Sequence, residues 1–219
     1  MNKIIWKSIL ATLASTLILC GVLALACAWF FPPTLMEFSY NVGWDKTAMK
    51  YAQKSYERFG ESYYAAYALE IAADLELDDK TEQYAEELLS CKDFESYCSE
   101  QDARFAANVT EGENREEGTY KQYVYVKLCL AKYRLNKAEE AVQRAAASLG
   151  AEEGGSCREF PVNNALAAVL LYALDDGDTQ TVDKISGILS STDESALGQN
   201  DKDYLAAMKN LIVQNTKNT

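Results

Sequence analysis

The chain has 219 residues, a formal net charge of -12 and no histidine. The lack of histidine excludes Ser-His-Asp and Cys-His nucleophilic catalysis and most zinc sites, which depend on imidazole. Binding to nucleic-acid phosphates needs clustered Lys and Arg, and an acidic chain without such a cluster predicts no nucleic-acid partner. With only 3 prolines and 11 glycines, the composition favours a helical protein.

The amino terminus carries an uncharged apolar run from Ser8 to Phe31, preceded by Lys3 and Lys7. As a helix this run would reach about 36 Å, which exceeds a hydrocarbon core of about 30 Å. We therefore predict a signal anchor over residues 1–31 that crosses the cell membrane once. Because positive charges favour the cytoplasmic side, we expect a cytoplasmic amino terminus and an extracytoplasmic carboxy-terminal domain.

Lipoprotein processing at Cys27 is the alternative for this segment. The sequence "LALAC" places Ala26 directly before Cys27, which resembles a loose bacterial lipobox. Two features weaken the match, because Ala24 stands where Leu is usual and the residues after Cys27 stay apolar. The anchor is therefore the favoured interpretation.

After a connector at residues 32–43, apolar residues recur at helical spacing through a domain at 44–215. Such periodicity predicts amphipathic helices, and no stretch alternates well enough to indicate a strand. We expect an all-α fold with helices near 44–59, 61–77, 80–91, 97–108, 119–135, 137–149, 163–174, 179–189 and 201–214.

Four breaks between these helices share one pattern, a short polar turn followed by a second amphipathic run. They are centred on Gly60, Asp79, Asn136 and Gly177. Short turns make neighbouring helices antiparallel, and repetition of such a pair predicts an α-solenoid.

The segment "YVYVKLCLAKYRLNKAEEAVQRAAAS" has a large residue early, small residues later and an asparagine turn between them. It resembles the tetratricopeptide-like repeat family, although Lys132 stands where an aromatic residue is usual. The matching positions are Tyr125, Leu128, Cys129, Asn136, Ala141, Ala145 and Ser148. With the single anchor, the chain is similar to membrane-anchored tetratricopeptide-like proteins of Gram-positive anaerobic bacteria. The resemblance implies a right-handed stack of antiparallel helix pairs that binds a partner, and it supplies no catalytic residue.

The sequence "DDGD" places three aspartates around Gly177 and invites comparison with a calcium loop. An EF-hand needs oxygen ligands at its first and third positions, which here are Tyr172 and Leu174. We therefore interpret the motif as a turn, with Gly177 at positive φ and Asp178 capping the next helix. No metal and no other cofactor is expected, and the acidic loop at 111–118 is interpreted as solvated.

Cys91 and Cys98 would lie about 10 Å apart on one straight helix, too far for a disulfide. They could pair only if the chain turned between them, and both possibilities stay open. Cys129, in "YVKLCLAKY", is expected to be a buried thiol.

A helical stack would form a concave face, and we expect the partner-binding residues to lie there. First-helix residues between the packing positions would line that face, which nominates Tyr123, Tyr133 and Asn164. Most tyrosines at helical spacing are nevertheless packing residues.

The predicted function is a membrane-anchored scaffold for a protein or peptide partner, without enzymatic activity. One alternative is a module that binds an envelope polymer or carbohydrate through an exposed aromatic groove. Another is an enzyme with two carboxylates facing each other across a pocket, although the sequence indicates no such pair.

Overall fold

The computed structural model describes residues 2–107, 119–148, 164–197 and 199–218. These residues form eleven α-helices and one short 3-10 helix, Glu194–Ala196, and they include no strand. The predicted all-α class is confirmed. The chain divides into two compact units, Met1–Gly60 and Glu61–Thr219.

The amino-terminal unit contains three helices, α1 (Asn2–Phe30), α2 (Pro32–Asn41) and α3 (Asp45–Phe59). In α1 the side chains of residues 9–22 are all exposed, and most of them are apolar. Across the described part of the chain, no helix combines the length and the apolar character that crossing a membrane requires. The structure therefore does not support the predicted span over residues 1–31. The predicted topology depended on that span and stays a prediction.

Helix α2 occupies most of the segment expected to be a connector. Pro32 and Pro33 are the first two residues of this helix, where the fixed φ of proline suits the first turn and its missing N–H would have no partner in any case. Met36 is fully buried on one side of the helix. Helix α2 packs against α3, so the proline pair starts a helix that forms half of a packed hairpin.

The carboxy-terminal unit contains the remaining eight helices. Each predicted helix from residue 61 onward has a counterpart within a few residues of its expected ends. The helices are α4 (Ser62–Asp74), α5 (Asp78–Leu89), α6 (Phe94–Ala107), α7 (Tyr120–Arg134), α8 (Ala138–Ser148), α9 (Ala165–Asp175), α10 (Thr179–Ser191) and α11 (Gln199–Asn218).

Four three-residue turns, at 42–44, 75–77, 135–137 and 176–178, each join two packed helices. The central residue of each turn has a positive φ, namely Gly43 at 75°, Glu76 at 54°, Asn136 at 61° and Gly177 at 68°. In every case the central N–H donates three residues back and the next N–H donates five residues back. This pair of hydrogen bonds is the Schellman motif, which satisfies carbonyls at the end of a helix.

One turn prediction is corrected by these bonds. The turn assigned to Asp79 is centred on Glu76, and Asp79 lies in the first turn of α5. Gly60 has a positive φ and ends α3 as predicted. Within its own unit α3 packs on α2, to which it is joined through Gly43. The turns at Asn136 and Gly177 are where they were predicted. Gly43 and Glu76 are separated by about one 34-residue repeat.

Three hairpins stack in the carboxy-terminal unit, and we call α4–α5 the first, α7–α8 the second and α9–α10 the third. Helix α5 packs on α7, and α9 packs on both α7 and α8. Leu88, Leu128 and Leu166 are fully buried. Small residues in the second helices, such as Ala85 and Ala145, are fully buried as well and leave space for the facing helix. The arrangement is compatible with a helical-repeat fold.

Candidate functional site

A cavity of about 200 Å³ lies where the three stacked hairpins meet. The first hairpin contributes its turn and flanking residues, the second contributes α7, and the third contributes one tyrosine from α9. The lining residues are Ala73, Glu76, Asp78, Thr81, Lys127, Leu130, Ala131, Arg134 and Tyr172. Because every hairpin supplies part of the wall, the cavity depends on the stacking.

Arg134, the last residue of α7, connects all three hairpins at this cavity. Its Nη2 donates to the Tyr172 hydroxyl at 2.7 Å, and its Nη1 lies 3.4 Å from a carboxylate oxygen of Asp78. The guanidinium carbon lies 4.9 Å from the centre of the Tyr172 ring. A planar guanidinium can bond a carboxylate and stack on a ring at once. Arg134 therefore links Asp78 of the first hairpin to Tyr172 of the third.

Thr81 supplies a buried hydroxyl that lacks a partner. The residue is 4% exposed, and its Oγ1 makes no hydrogen bond to any residue that the structure describes. The nearby Leu77 carbonyl already accepts from the N–H groups of Lys80 and Thr81. Burying a hydroxyl without a hydrogen bond costs about 1–3 kcal/mol. A new hydrogen bond to the Thr81 hydroxyl would therefore be favourable.

Charges of both signs line the cavity. Lys127 and Arg134 are cationic, and Glu76 and Asp78 are anionic. The Lys127 ammonium lies 5.3 Å from the centre of the Tyr123 ring on the same helix. The cavity therefore offers both donors and acceptors, which matches a ligand rich in both kinds of polar group.

Lys132, in the last turn of α7, is nearly buried and joins the first two hairpins through ion pairs. Its Nζ lies 2.8 Å from Glu82, 3.3 Å from Glu86 and 3.4 Å from Glu140. Lys137 also reaches Glu82, at 2.6 Å. Burial alone would raise the pKa of Glu82, but hydrogen bonds from the two lysines outweigh it and hold that pKa below its ordinary value. At position 132, where an aromatic residue is usual in the resembled family, this chain therefore has a lysine whose ion pairs connect two hairpins.

The three residues predicted to bind a partner contact other parts of the chain, and their partner-binding role stays a prediction. Tyr123 is 7% exposed and packs beside Tyr120, with ring centres 5.5 Å apart. Tyr133 is 8% exposed, its hydroxyl lies 3.5 Å from Asp178, and burial beside the aspartates raises its pKa to about 12. Asn164 caps α9 by accepting from two backbone N–H groups. None of the three lines the cavity.

The "DDGD" motif forms the predicted turn. Gly177 has a φ of 68°, and the Asp178 side chain accepts from the backbone N–H of Thr181 at 3.1 Å. The Thr181 hydroxyl also donates to Asp178, and these bonds hold the pKa of Asp178 below its ordinary value. The predicted capping role of Asp178 is confirmed.

The cysteines that the structure describes are thiols. Cys91 and Cys98 are not joined in a disulfide, and the Cys91 thiol donates to the Glu87 carbonyl at 3.3 Å. Cys129 is fully buried as predicted, and burial raises its pKa to about 12. The acidic loop at 111–118, Cys157 and the Cys27 side chain lie outside the described residues.

Sequence reasoning did not nominate Thr81, Arg134 or Tyr172. Arg134 ends the helix just before the Asn136 turn, and Asp78 follows the corresponding turn of the first hairpin. A signal was available, since residues next to equivalent turns meet when hairpins stack in register. The unpartnered state of the Thr81 hydroxyl can be seen only in the folded chain.

No protein-family model matches the sequence. The curated proteins and the solved structures gave no match either. The resemblance to tetratricopeptide-like repeats therefore stays a prediction, based on the helices, their turns and their packing.

Proposed function

We propose that the carboxy-terminal unit is a tetratricopeptide-like scaffold, a right-handed stack of helix pairs, that binds a peptide segment of a partner protein at the cavity around Arg134. Antiparallel hairpins with one shared turn geometry support the repeat interpretation. In such stacks a binding surface forms across neighbouring repeats, as this cavity does.

One observation carries the proposal, namely the unpartnered hydroxyl of Thr81. Native structures leave few buried polar groups without a hydrogen bond, and an exception calls for an explanation. The oxygen itself is buried, so a ligand would bond it only after the Thr81 side chain rotates toward the cavity, and that bond would remove the desolvation cost. An extended peptide presents alternating N–H and C=O groups, and both the hydroxyl and the surrounding charges can bond to them.

The polar lining favours a peptide over a carbohydrate. Carbohydrate-binding grooves present open aromatic faces. Among the described residues that line this cavity, the one aromatic residue is Tyr172, and Arg134 lies over its ring. An enzyme with two carboxylates is a further alternative. Glu76 and Asp78 are two residues apart at one turn and helix start, and Asp78 pairs with Arg134. They therefore do not form the facing pair that opposed acid and base roles require.

The test selects peptides from a random display library on the full chain and measures their Kd for defined variants. Thr81→Val keeps the side-chain volume and removes the hydroxyl, so we expect about tenfold weaker binding, corresponding to one lost hydrogen bond. Arg134→Ala should weaken binding at least as much.

Thr181→Val is the matched control, because Thr181 is equally buried but bonds to Asp178 away from the cavity. Its Kd should equal that of the wild type. Selected peptides that bind Thr81→Val and Arg134→Ala as tightly as the wild type would contradict the proposal. So would selective binding of envelope glycans when no peptide is selected.

A further inference from the structure

Helix α3 of the amino-terminal unit carries a row of exposed basic residues. Lys46, Lys50, Lys54 and Arg58 follow one another at intervals of four. On an α-helix such spacing places side chains along one side. We call these four residues the basic stripe.

The stripe faces away from the core of its own unit. The buried residues of α3 are Ala48, Ala52 and Ser55, and at 3.6 residues per turn they lie on the other side of the helix. Glu57 shares the exposed side and accepts a hydrogen bond from Gln53 at 3.2 Å. Lys46, Lys50 and Lys54 form no ion pair with any described residue, so this side of α3 is positive.

Exposed aromatic residues lie at both ends of α3. Trp44 directly precedes α3 and is 59% exposed, and the edge of its ring meets Phe38, which is 53% exposed. Phe59 ends the helix at 47% exposure, with the Arg58 guanidinium 5.4 Å from its ring centre. Phe59 follows the buried Ser55 by four residues and so lies on the other side of the helix. Trp44 remains as an exposed ring at the start of the stripe that can enter an apolar layer while the lysines stay outside it.

Charge is divided unequally along the chain. Residues 1–60 carry six Lys and Arg against three Asp and Glu, a net charge of +3. Residues 61–219 carry fifteen Lys and Arg against thirty Asp and Glu, a net charge of -15. An anionic surface would attract the first unit and repel the second.

We propose that the basic stripe and the neighbouring Trp44 dock the amino-terminal unit on anionic lipid headgroups. Polybasic segments bind anionic lipid by charge, and tryptophan favours the interface between water and hydrocarbon. The exposed aliphatic side chains of α1, including Leu10 and Leu17, belong to the same unit. Lipid can cover such side chains, whereas nucleic acid or another polyanion cannot, and this decides between the candidate surfaces. The proposal is independent of the peptide cavity.

The test is flotation of the full chain with vesicles of phosphatidylcholine alone or mixed with phosphatidylglycerol. The apolar side chains of helix α1 should contribute to binding of both kinds of vesicle. The informative quantity is therefore the ratio of binding to anionic vesicles over binding to phosphatidylcholine vesicles, which we call the preference. We expect the combined change Lys46→Gln, Lys50→Gln and Lys54→Gln to reduce that preference by about fivefold per lysine. Added salt should reduce the wild-type preference in the same direction.

The matched control makes the same charge change in the other unit, Lys184→Gln, Lys202→Gln and Lys209→Gln, and should keep the preference. Circular dichroism and thermal melting verify that both variants fold. A second readout is Trp44 fluorescence in a Trp6→Phe, Trp29→Phe background. Brominated lipids in anionic vesicles should quench it, and the stripe variant should lose this quenching.

Three results would overturn the proposal. These are equal flotation with both lipid compositions, an unchanged preference in the stripe variant, and tight binding of duplex DNA by a chain that shows no preference for anionic vesicles. Each of them leaves the peptide-binding proposal unaffected, because the cavity residues are unchanged in every variant.

Discussion

Arg134 and Tyr172 make two contacts at once, a 2.7 Å hydrogen bond from the guanidinium to the hydroxyl and a stacking contact with 4.9 Å between the guanidinium carbon and the ring centre. One residue ends the first helix of the second hairpin, and the other lies in the first helix of the third. Their pairing therefore joins hairpins at the cavity wall.

Arg134→Lys should destabilise the chain although the charge is retained. Lysine cannot donate to Asp78 and Tyr172 in a fixed fork, nor stack as a plane on the ring. Because Arg134 is partly exposed, we expect a loss of about 0.5–1 kcal/mol in the free energy of unfolding, measured by urea denaturation. The control is Arg104→Lys, which alters an exposed pair with Glu100. Equal effects of the two changes would show that Arg134 is not a bridge.

Thr81→Val and Thr181→Val should change stability in opposite directions. The Thr81 hydroxyl lacks a partner, so removing it eliminates a desolvation cost and should stabilise the chain by up to about 1 kcal/mol. The Thr181 hydroxyl bonds to Asp178, so its removal should destabilise by about 1 kcal/mol. Thermal and urea unfolding of both variants measures this, and a destabilised Thr81→Val would mean that the hydroxyl has a partner in solution.

The helices of the carboxy-terminal unit could be predicted because apolar periodicity is a local signal. The turn at Asn136 could be predicted too, since asparagine and glycine tolerate positive φ. Glu76 was missed because glutamate has no such preference. The one indication of that turn in the sequence is that the two helices on either side of it, α4 and α5, have similar lengths.

The cavity could not be predicted from one sequence. Thr81, Arg134 and Tyr172 come from three hairpins, and only the stacking of α5, α7 and α9 brings them together. Tyr123 and Tyr133 were nominated for type and spacing, and both are buried on the first helix of the second hairpin. A sequence does not show which tyrosines of a helix are buried, and the partner-binding role of these two stays a prediction. The basic stripe has a visible spacing of four, yet which side of α3 is exposed depends on its contact with α2.

Glu82→Gln should remove part of the acid sensitivity of the chain. The pKa of Glu82 is lower in the folded protein because Lys132 and Lys137 outweigh the effect of burial. A lowered pKa contributes stability that is complete above the ordinary glutamate pKa of about 4.3 and is lost as pH falls through the lower folded value. At neutral pH we expect Glu82→Gln to cost about 1–2 kcal/mol.

The measurement is urea denaturation of both proteins from neutral pH down to pH values below the ordinary glutamate pKa. The difference between wild type and variant should shrink on acidification. Glu95→Gln, which affects a pair whose glutamate is 74% exposed, should show a small and nearly constant difference. A wild-type advantage over Glu82→Gln that persists in acid would mean that the Glu82 carboxylate does not contribute through its charge.

The shared turn geometry predicts opposite effects of substitutions at equivalent central positions. Gly177→Ala places a Cβ where φ is 68°, and no atom lies within 4 Å of that Cβ, so the cost is purely conformational, about 1 kcal/mol. Glu76→Gly removes a Cβ from a φ of 54° and should stabilise by about 0.5 kcal/mol once the greater freedom of glycine in the unfolded chain is deducted. Gly187→Ala, inside α10 with open space around it, is the matched control and should stabilise through helix propensity. Thermal unfolding of the three variants distinguishes these signs, and a stabilising Gly177→Ala would show that the turn does not hold positive φ in solution.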